Sequence, residues 1–137
     1  VFFIDRQRGW FCGIDATIGR TVDGGATWEL LPTGIDFTLY TIHIAGGKGY
    51  SVGDKGAYLE SPDGGLTWEL KTDVIKSKLP FRDVYFSSPS MGWVVGKSGT
   101  VVHTADAGAS WEFFSGLSYV MDFFSMPKAL EFGGGTE

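Results

Sequence analysis

The feature that most constrains the fold of this chain is a segment that occurs three times. Three segments of twenty residues align without a gap, and their final tryptophans lie 40 and 43 residues apart. They are GWFCGIDATIGRTVDGGATW (9–28), GYSVGDKGAYLESPDGGLTW (49–68) and GWVVGKSGTVVHTADAGASW (92–111). A repeat with a period of this size indicates one supersecondary unit that stacks on copies of itself.

Each repeat has the pattern of four short β-strands. In the third repeat, β-branched and aromatic runs occupy residues 81–88, 91–96, 100–105 and 110–115. The segments between them consist of residues typical of turns, and no 3.6-residue apolar period indicates a helix. Four strands in one repeat of this length are typical of a propeller blade. The sequence therefore predicts an all-β fold, a β-propeller arc of four-stranded antiparallel blades.

The 137 residues have room for about three and a half such blades. We expect one propeller segment over residues 1–137, with blades at about 1–33, 37–73 and 79–115 and a partial fourth blade at about 117–137. The first and last blades of an open arc expose apolar faces. Three explanations stay open: both ends are cut from a longer protein, two arcs associate to close a ring, or the open arc is stable alone.

The turn between the third and fourth strands of each blade has the pattern S/T-x-D-x-G-x-S/T-W. The aspartate can accept hydrogen bonds from the backbone of its own turn, and the glycine permits a positive φ. The threonine or serine can hold the next strand, and the tryptophan can fill apolar space. The predicted structural residues are Asp23, Gly25, Thr27 and Trp28, then Asp63, Gly65, Thr67 and Trp68, then Asp106, Gly108, Ser110 and Trp111.

The repeated aspartates are not predicted to be catalytic, because an active site needs residues with different roles rather than one copy per blade. Each turn supplies one carboxylate, whereas Ca²⁺ takes six or more oxygen ligands. His43 and His103 have no second metal ligand nearby in the sequence, and Cys12 is the single cysteine. We therefore expect no catalytic residue, no metal site and no cofactor.

The repeated turn resembles the Asp-box, or BNR, repeat. The segment GWVVGKSGTVVHTADAGASWE (92–112) is similar to the repeat of the Ycf48-like photosystem II assembly factor family, whose pattern is close to G-W-x-V-G-x-x-G-x-I-x-x-T-x-D-G-G-x-T-W. The chain departs from the repeat at Ala107 and at Ala16, where glycine is usual. The resemblance covers essentially the whole chain and implies a seven-bladed propeller, of which this chain would be a fragment.

Charge and hydropathy restrict the partners. The net charge is −5 and no basic stripe is present, so nucleic acid is not an expected partner. No apolar run approaches the ~18 residues that a membrane span needs. Lys71, Lys76 and Lys78 form the one lysine cluster, and we interpret it as a solvated loop.

The resemblance implies an arginine-bearing face that holds partner chains. The alternative interpretation of the same arginines is ordinary surface charge. The candidate partner-binding residues are Arg6, Arg8 and Arg82.

The leading functional hypothesis is a non-catalytic protein-binding propeller, either an assembly factor or an accessory subunit of a larger complex. The resemblance implies that the partner is a subunit of a photosynthetic membrane complex, held outside the cytoplasm in the periplasm or the thylakoid lumen. Two alternatives stay open. An Asp-box glycoside hydrolase would need two carboxylates across a cleft, and a carbohydrate-binding propeller would need aromatic side chains exposed on one face.

Overall fold

The structure, a computed structural model, describes residues 1–114. It confirms the predicted fold class, because these residues form three four-stranded sheets in which each strand pairs with the next one along the chain. All of the pairings are antiparallel. The predicted partial fourth blade, at about 117–137, lies outside the described residues.

The twelve strands are short, as the spacing of the turn residues predicts. The first sheet consists of β1 (Phe2–Phe3), β2 (Gly9–Cys12), β3 (Ile18–Thr21) and β4 (Glu29–Leu31). The second consists of β5 (Leu39–Ala45), β6 (Lys48–Gly53), β7 (Tyr58–Ser61) and β8 (Glu69–Leu70). The third consists of β9 (Phe81–Phe86), β10 (Gly92–Gly96), β11 (Val101–Thr104) and β12 (Glu112–Phe114).

A three-residue 3-10 turn joins the second and third strands of every sheet. These turns are Ile14–Ala16, Asp54–Gly56 and Lys97–Gly99. Within residues 1–114 they are the only helical segments, which agrees with the lack of a helical period in the sequence. No helix in this part of the chain is long and apolar enough to cross a membrane.

The antiparallel order gives each sheet two ends with different connections. The Asp-box turns and the loops between first and second strands lie at one end, which we call the box end. The 3-10 turns and the linkers between sheets lie at the other, the linker end. The first linker, residues 32–38, is three residues shorter than the second linker, residues 71–80. Trp28 and Leu39 are 11 residues apart and Trp68 and Phe81 are 13 apart, so the longer linker supplies two of the three residues by which the repeat offset rises from 40 to 43.

The apolar core lies between the sheets rather than within one of them. One buried cluster combines residues of the first and second sheets, including Trp10, Ile18, Leu59 and Trp68. The other combines residues of the second and third sheets, including Tyr50, Tyr58, Phe86, Val94 and Trp111. The sheets therefore pack face to face, as neighbouring propeller blades do.

The glycine that begins each repeat leaves room for an aromatic ring. A Cβ atom at this position would lie 2.6 Å from a ring carbon in the same sheet, which is too close for any real contact. The pairs are Gly9 with Phe3, Gly49 with Trp68, and Gly92 with Phe86.

Candidate functional site

The second Asp-box turn shows how these turns are held. One carboxylate oxygen of Asp63, Oδ1, accepts hydrogen bonds from the backbone N–H groups of Leu66 (3.1 Å) and Thr67 (2.9 Å) and from the hydroxyl of Ser61 (2.7 Å). The other oxygen, Oδ2, accepts from the Thr67 hydroxyl at 2.7 Å. Both oxygens of the carboxylate are therefore engaged within the turn.

The other two Asp-box turns repeat this geometry. Asp23 accepts from the backbone N–H and the hydroxyl of Thr27 at 2.9 and 2.6 Å, and Asp106 accepts from the same groups of Ser110 at the same distances. The hydroxyl and backbone hydrogen bonds lower the pKa of Asp23 and that of Asp106 to about 2. The same bonds hold the pKa of Asp63 well below its ordinary value.

These carboxylates are ionised hydrogen-bond acceptors with a structural position, and nothing in their geometry suits proton transfer at neutral pH. Within residues 1–114, no group of three or more His, Cys, Asp or Glu side chains is placed to hold a metal ion.

The second Asp-box turn also contacts the sheet before it. The indole Nε1 of Trp10, on β2, donates to the carbonyl of Gly65 at 2.9 Å, and Trp68 Nε1 donates to the same carbonyl at 3.1 Å. Gly65 has a φ of 101°, and a Cβ there would lie 2.5 Å from Trp10 Nε1. The turn therefore joins its own tryptophan to an aromatic residue of the preceding sheet, and only glycine fits.

The third Asp-box turn meets the second sheet in a similar way. Tyr50 Oη and Lys48 Nζ both donate to the carbonyl of Ala107 at 2.9 Å. Ala107 has a φ of 60°, so alanine takes the left-handed conformation at the position where glycine is usual. Trp111 Nε1 donates to the hydroxyl oxygen of Tyr58 at 3.1 Å.

The outer faces of the first and third sheets lack this pairing among the described residues. Trp28 is 37% exposed, whereas Trp68 is 6% exposed. The aromatic rings that contact Trp28 among the described residues, Phe3 and Phe11, both belong to its own sheet. Trp93 is buried, yet its Nε1 has no hydrogen-bond partner in the described part of the chain. Trp28 therefore fills apolar space less completely than Trp68 does.

The structure does not bring the three candidate arginines together. Arg6 and Arg8 lie in the loop between β1 and β2 at the box end, and Arg8 Nη2 forms a 2.8 Å ion pair with Asp5. Arg82 lies near the start of β9 at the linker end, where its guanidinium carbon is 5.0 Å from the centre of the Tyr40 ring. A single arginine patch built from all three is not present in this geometry.

A cavity that the sequence did not predict lies at the linker end of the second sheet. It has a volume of about 550 Å³ and is bounded by the second 3-10 turn, the end of β8 and the longer linker. Its apolar lining residues are Phe37, Ala57, Leu70 and Ile75. Its basic lining residues are Lys55, Lys71, Lys76 and Lys78. We call it the lysine cavity; three of these lysines belong to the segment that the sequence suggested was a solvated loop.

Several known proteins are similar to this chain in sequence. Residues 30–118 match the family described as "Photosynthesis system II assembly factor YCF48". The "Photosystem II assembly lipoprotein Ycf48" of Synechococcus sp. (strain CC9902) is 36% identical over 72 residues, which are 50% of this chain and 22% of that protein. The "Photosystem II assembly protein Ycf48" of Thermosynechococcus vestitus is 40% identical over 47 residues, or 34% of this chain and 14% of that protein.

Solved structures agree with the sequence relatives. A structure described as "YCF48 bound to D1 peptide" is 29% identical with a TM-score of 0.72, over 82% of this chain and 37% of that chain. The structure of YCF48 from Cyanidioschyzon merolae, 23% identical with a TM-score of 0.70 over 83% of this chain and 38% of that chain, has the same fold. This chain thus spans well under half of the solved proteins that it matches.

The family match covers about two thirds of the chain and includes the second and third Asp boxes in full. The named relatives are assembly factors rather than enzymes. The resemblance that the repeat motif suggested is confirmed, and the chain belongs to the family of the photosystem II assembly factor YCF48, with propeller blades built from BNR-type Asp-box repeats.

Proposed function

We propose that this chain is a non-catalytic, protein-binding propeller arc that acts in photosystem II assembly by holding a segment of a photosystem II subunit. The observation that supports this most is the family match over residues 30–118. Further support comes from the similarity to a solved structure described as "YCF48 bound to D1 peptide", which is 29% identical with a TM-score of 0.72.

The chemistry of the described residues favours binding over catalysis. A glycoside hydrolase places two carboxylates on opposite sides of a scissile bond, but each Asp-box carboxylate is engaged by its own turn, as for Asp63. Trp10 and Trp93, which stand where sugar-stacking platforms would be sought, are each 2% exposed. Trp10 packs between the first and second sheets, and the Trp93 ring contacts His103 of its own sheet. Neither the hydrolase nor the carbohydrate-binding alternative therefore gains support.

The partner is expected at the linker end. At the box end, the turn carbonyls of Gly65 and Ala107 accept hydrogen bonds from the preceding sheet, so this end acts mainly as a frame. The linker end presents connecting segments on a rigid scaffold, which is where binding residues commonly lie. A relative is named a lipoprotein, which supports a location of this chain outside the cytoplasm, on the periplasmic or lumenal side.

Overlapping peptides that tile the D1 sequence test this function. Each labelled peptide is titrated with the purified 137-residue chain, and fluorescence anisotropy reports binding. We expect a contiguous subset of peptides to bind and their scrambled counterparts, with the same composition and charge, not to bind. Binding that is equal for native and scrambled peptides, or absent for all of them, would contradict the proposed function.

A further inference from the structure

We propose that the lysine cavity binds a peptide segment in which carboxylate side chains flank an apolar one, a proposal that rests on the protein-binding function above. The apolar side chain would enter the cavity, and the carboxylates would meet the lysines around its opening.

The size and floor of the cavity suit a side chain of a partner. Its volume of about 550 Å³ lies within the range of roughly 300–1,000 Å³ in which ligand sites usually fall. Ala57 and Ile75, which form part of the floor, are each 3% exposed. An apolar group that enters this space leaves water for an apolar surface, and this transfer is favourable.

The charge around the cavity opposes that of the chain as a whole. The chain has a net charge of −5 and seven lysines, and four of the seven line this one cavity. Lys71 forms an ion pair with Glu69 at 3.2 Å. Within residues 1–114, the three other lysines of the cavity have no ion pair, so their charge is available to an anionic partner.

The first sheet provides an internal comparison. The cavity at the equivalent place has a volume of about 320 Å³, and its lining contains no lysine or arginine. In the first sheet, Asp15 occupies the position that Lys55 has in the second sheet, in the middle of the 3-10 turn. The φ value is 57° at Asp15 and 59° at Lys55. Leu31 occupies the position of Lys71 in the aligned repeat. The fold therefore forms without these lysines, and their presence in the second sheet is an addition to the structural repeat.

The longer linker holds two of the lysines in place. A Cβ atom built on Gly56 would lie 1.9 Å from the carbonyl oxygen of Ser77, so the linker backbone rests directly on the 3-10 turn. Lys76 and Lys78 flank this contact on both sides. Lys55 Nζ lies 5.3 Å from the centre of the Phe37 ring, at the border between apolar floor and basic opening. Packing thus sets where the backbone that carries these lysines lies.

Two variants that make the chain more acidic test the proposal. The probe is a labelled short peptide of alternating glutamate and leucine, and the variant Lys55→Asp with Lys71→Leu places at these two positions the residues that the first sheet has there. The control is Lys97→Asp, which reverses a lysine of the third 3-10 turn outside the cavity. We expect binding to weaken about tenfold in the first variant and to change less than about twofold in the control. Circular dichroism verifies that both variants fold like the unmodified chain.

Three results would overturn the proposal. The first is equal loss of binding in Lys97→Asp, which would indicate general charge attraction. The second is equal binding of a peptide with glutamine for every glutamate, which would remove the role of the lysines. The third is evidence of a simple anion site, given either by equal binding of a peptide with glycine for every leucine or by displacement of the probe by inorganic phosphate at matched ionic strength.

The D1 peptides separate this proposal from the proposed function. If some of them bind the unmodified chain and bind the variant Lys55→Asp with Lys71→Leu equally well, the lysine cavity proposal fails while the protein-binding function stands. If no D1 peptide binds the chain, the proposed function itself fails, whatever the glutamate–leucine peptide does.

Discussion

The side-chain and backbone groups of a single Asp box have different structural roles. The aspartate, for example Asp63, organises its own turn by accepting backbone and hydroxyl hydrogen bonds. The glycine carbonyl, as at Gly65, faces outward to the preceding sheet and accepts from Trp10. One short sequence pattern thus fixes both a local turn and the stacking of two sheets.

Because of the Asp-box aspartates, the stability of the folded chain should decrease as the pH falls into the acidic range. The folded pKa of Asp23 and that of Asp106 are about 2, below their ordinary value of 3.8. A depressed folded pKa means that the stabilisation is complete above the unfolded pKa and is lost as the pH falls through the folded one. We therefore expect the urea midpoint to fall between about pH 4 and pH 2.

The variant Asp106→Asn provides the control for this pH dependence. It should have a lower urea midpoint than the unmodified chain at neutral pH, because the charged acceptor of the Ser110 hydrogen bonds is lost. Its midpoint should also fall less steeply in acid. A decline in acid identical to that of the unmodified chain would show that the Asp106 turn does not contribute to the pH dependence.

The tryptophans of the Asp boxes should differ in their contribution to stability. Trp68 is almost fully buried between the first two sheets, and Trp68→Ala should cost about 3–5 kcal/mol in the free energy of unfolding. Trp28 packs on one sheet only, and Trp28→Ala should cost about 1–2 kcal/mol. Urea denaturation followed by circular dichroism measures both. Equal losses would contradict the view that burial between sheets determines the contribution.

The sequence predicted the residues of the Asp box better than their partners. Local chemistry sufficed for Asp63 and Thr67, because donor and acceptor are four residues apart. It could not suffice for the bond from Trp10 to Gly65, whose partners are 55 residues apart in the sequence. Pairs of this kind are set by how sheets stack, and no local pattern records that.

Among the elements, strands were easier to predict than linkers. Turn residues bound every strand of the third sheet, and the predicted run 81–88 contains the observed β9 (Phe81–Phe86). The predicted run 110–115 begins before β12, because Ser110 is bound to Asp106 within the turn. The lysine cavity was missed because the 3-10 turn brings Lys55 to a linker far along the chain. The one available signal was the larger second offset, which marks a longer linker.

The contact between this linker and the second 3-10 turn can be tested by substitution of two glycines that stand at the same position of the repeat. Gly56 and Gly99 have φ values of 72° and 74°. A Cβ at Gly56 would lie 1.9 Å from the Ser77 carbonyl oxygen of the linker, whereas a Cβ at Gly99 would have nothing within 4 Å in the described part of the chain. Gly99→Ala should cost about 1 kcal/mol of stability for the left-handed backbone. Gly56→Ala should cost ~3 kcal/mol, because the linker must also move.

The readout for the two glycines is urea denaturation together with binding of the glutamate–leucine peptide. Gly56→Ala should weaken peptide binding, and Gly99→Ala should leave it unchanged, because only the first displaces the lining of the cavity. Equal effects of the two substitutions on stability would contradict the direct contact between the linker and the 3-10 turn.

The described molecule has a box end that holds the sheets together and a linker end at which we propose that a partner binds. Trp28 is partly exposed on the outer face of the first sheet, and Trp93 Nε1 of the third sheet has no acceptor within residues 1–114. Closure of the ring by a second arc stays a prediction, which the native mass from light scattering measures. The repeat period predicted the stacked sheets, but no period specifies which end binds, because both ends recur in every blade.

The central claim is that the linker end binds the partner and the box end holds the sheets together. Hydrogen–deuterium exchange of the chain with and without a D1 peptide that binds it tests this claim most directly. The account predicts slower exchange in the second 3-10 turn (Asp54–Gly56) and in the linker 71–80, with little change in the Asp-box turns. Protection confined to the Asp-box turns, or no protection at any amide, would contradict it.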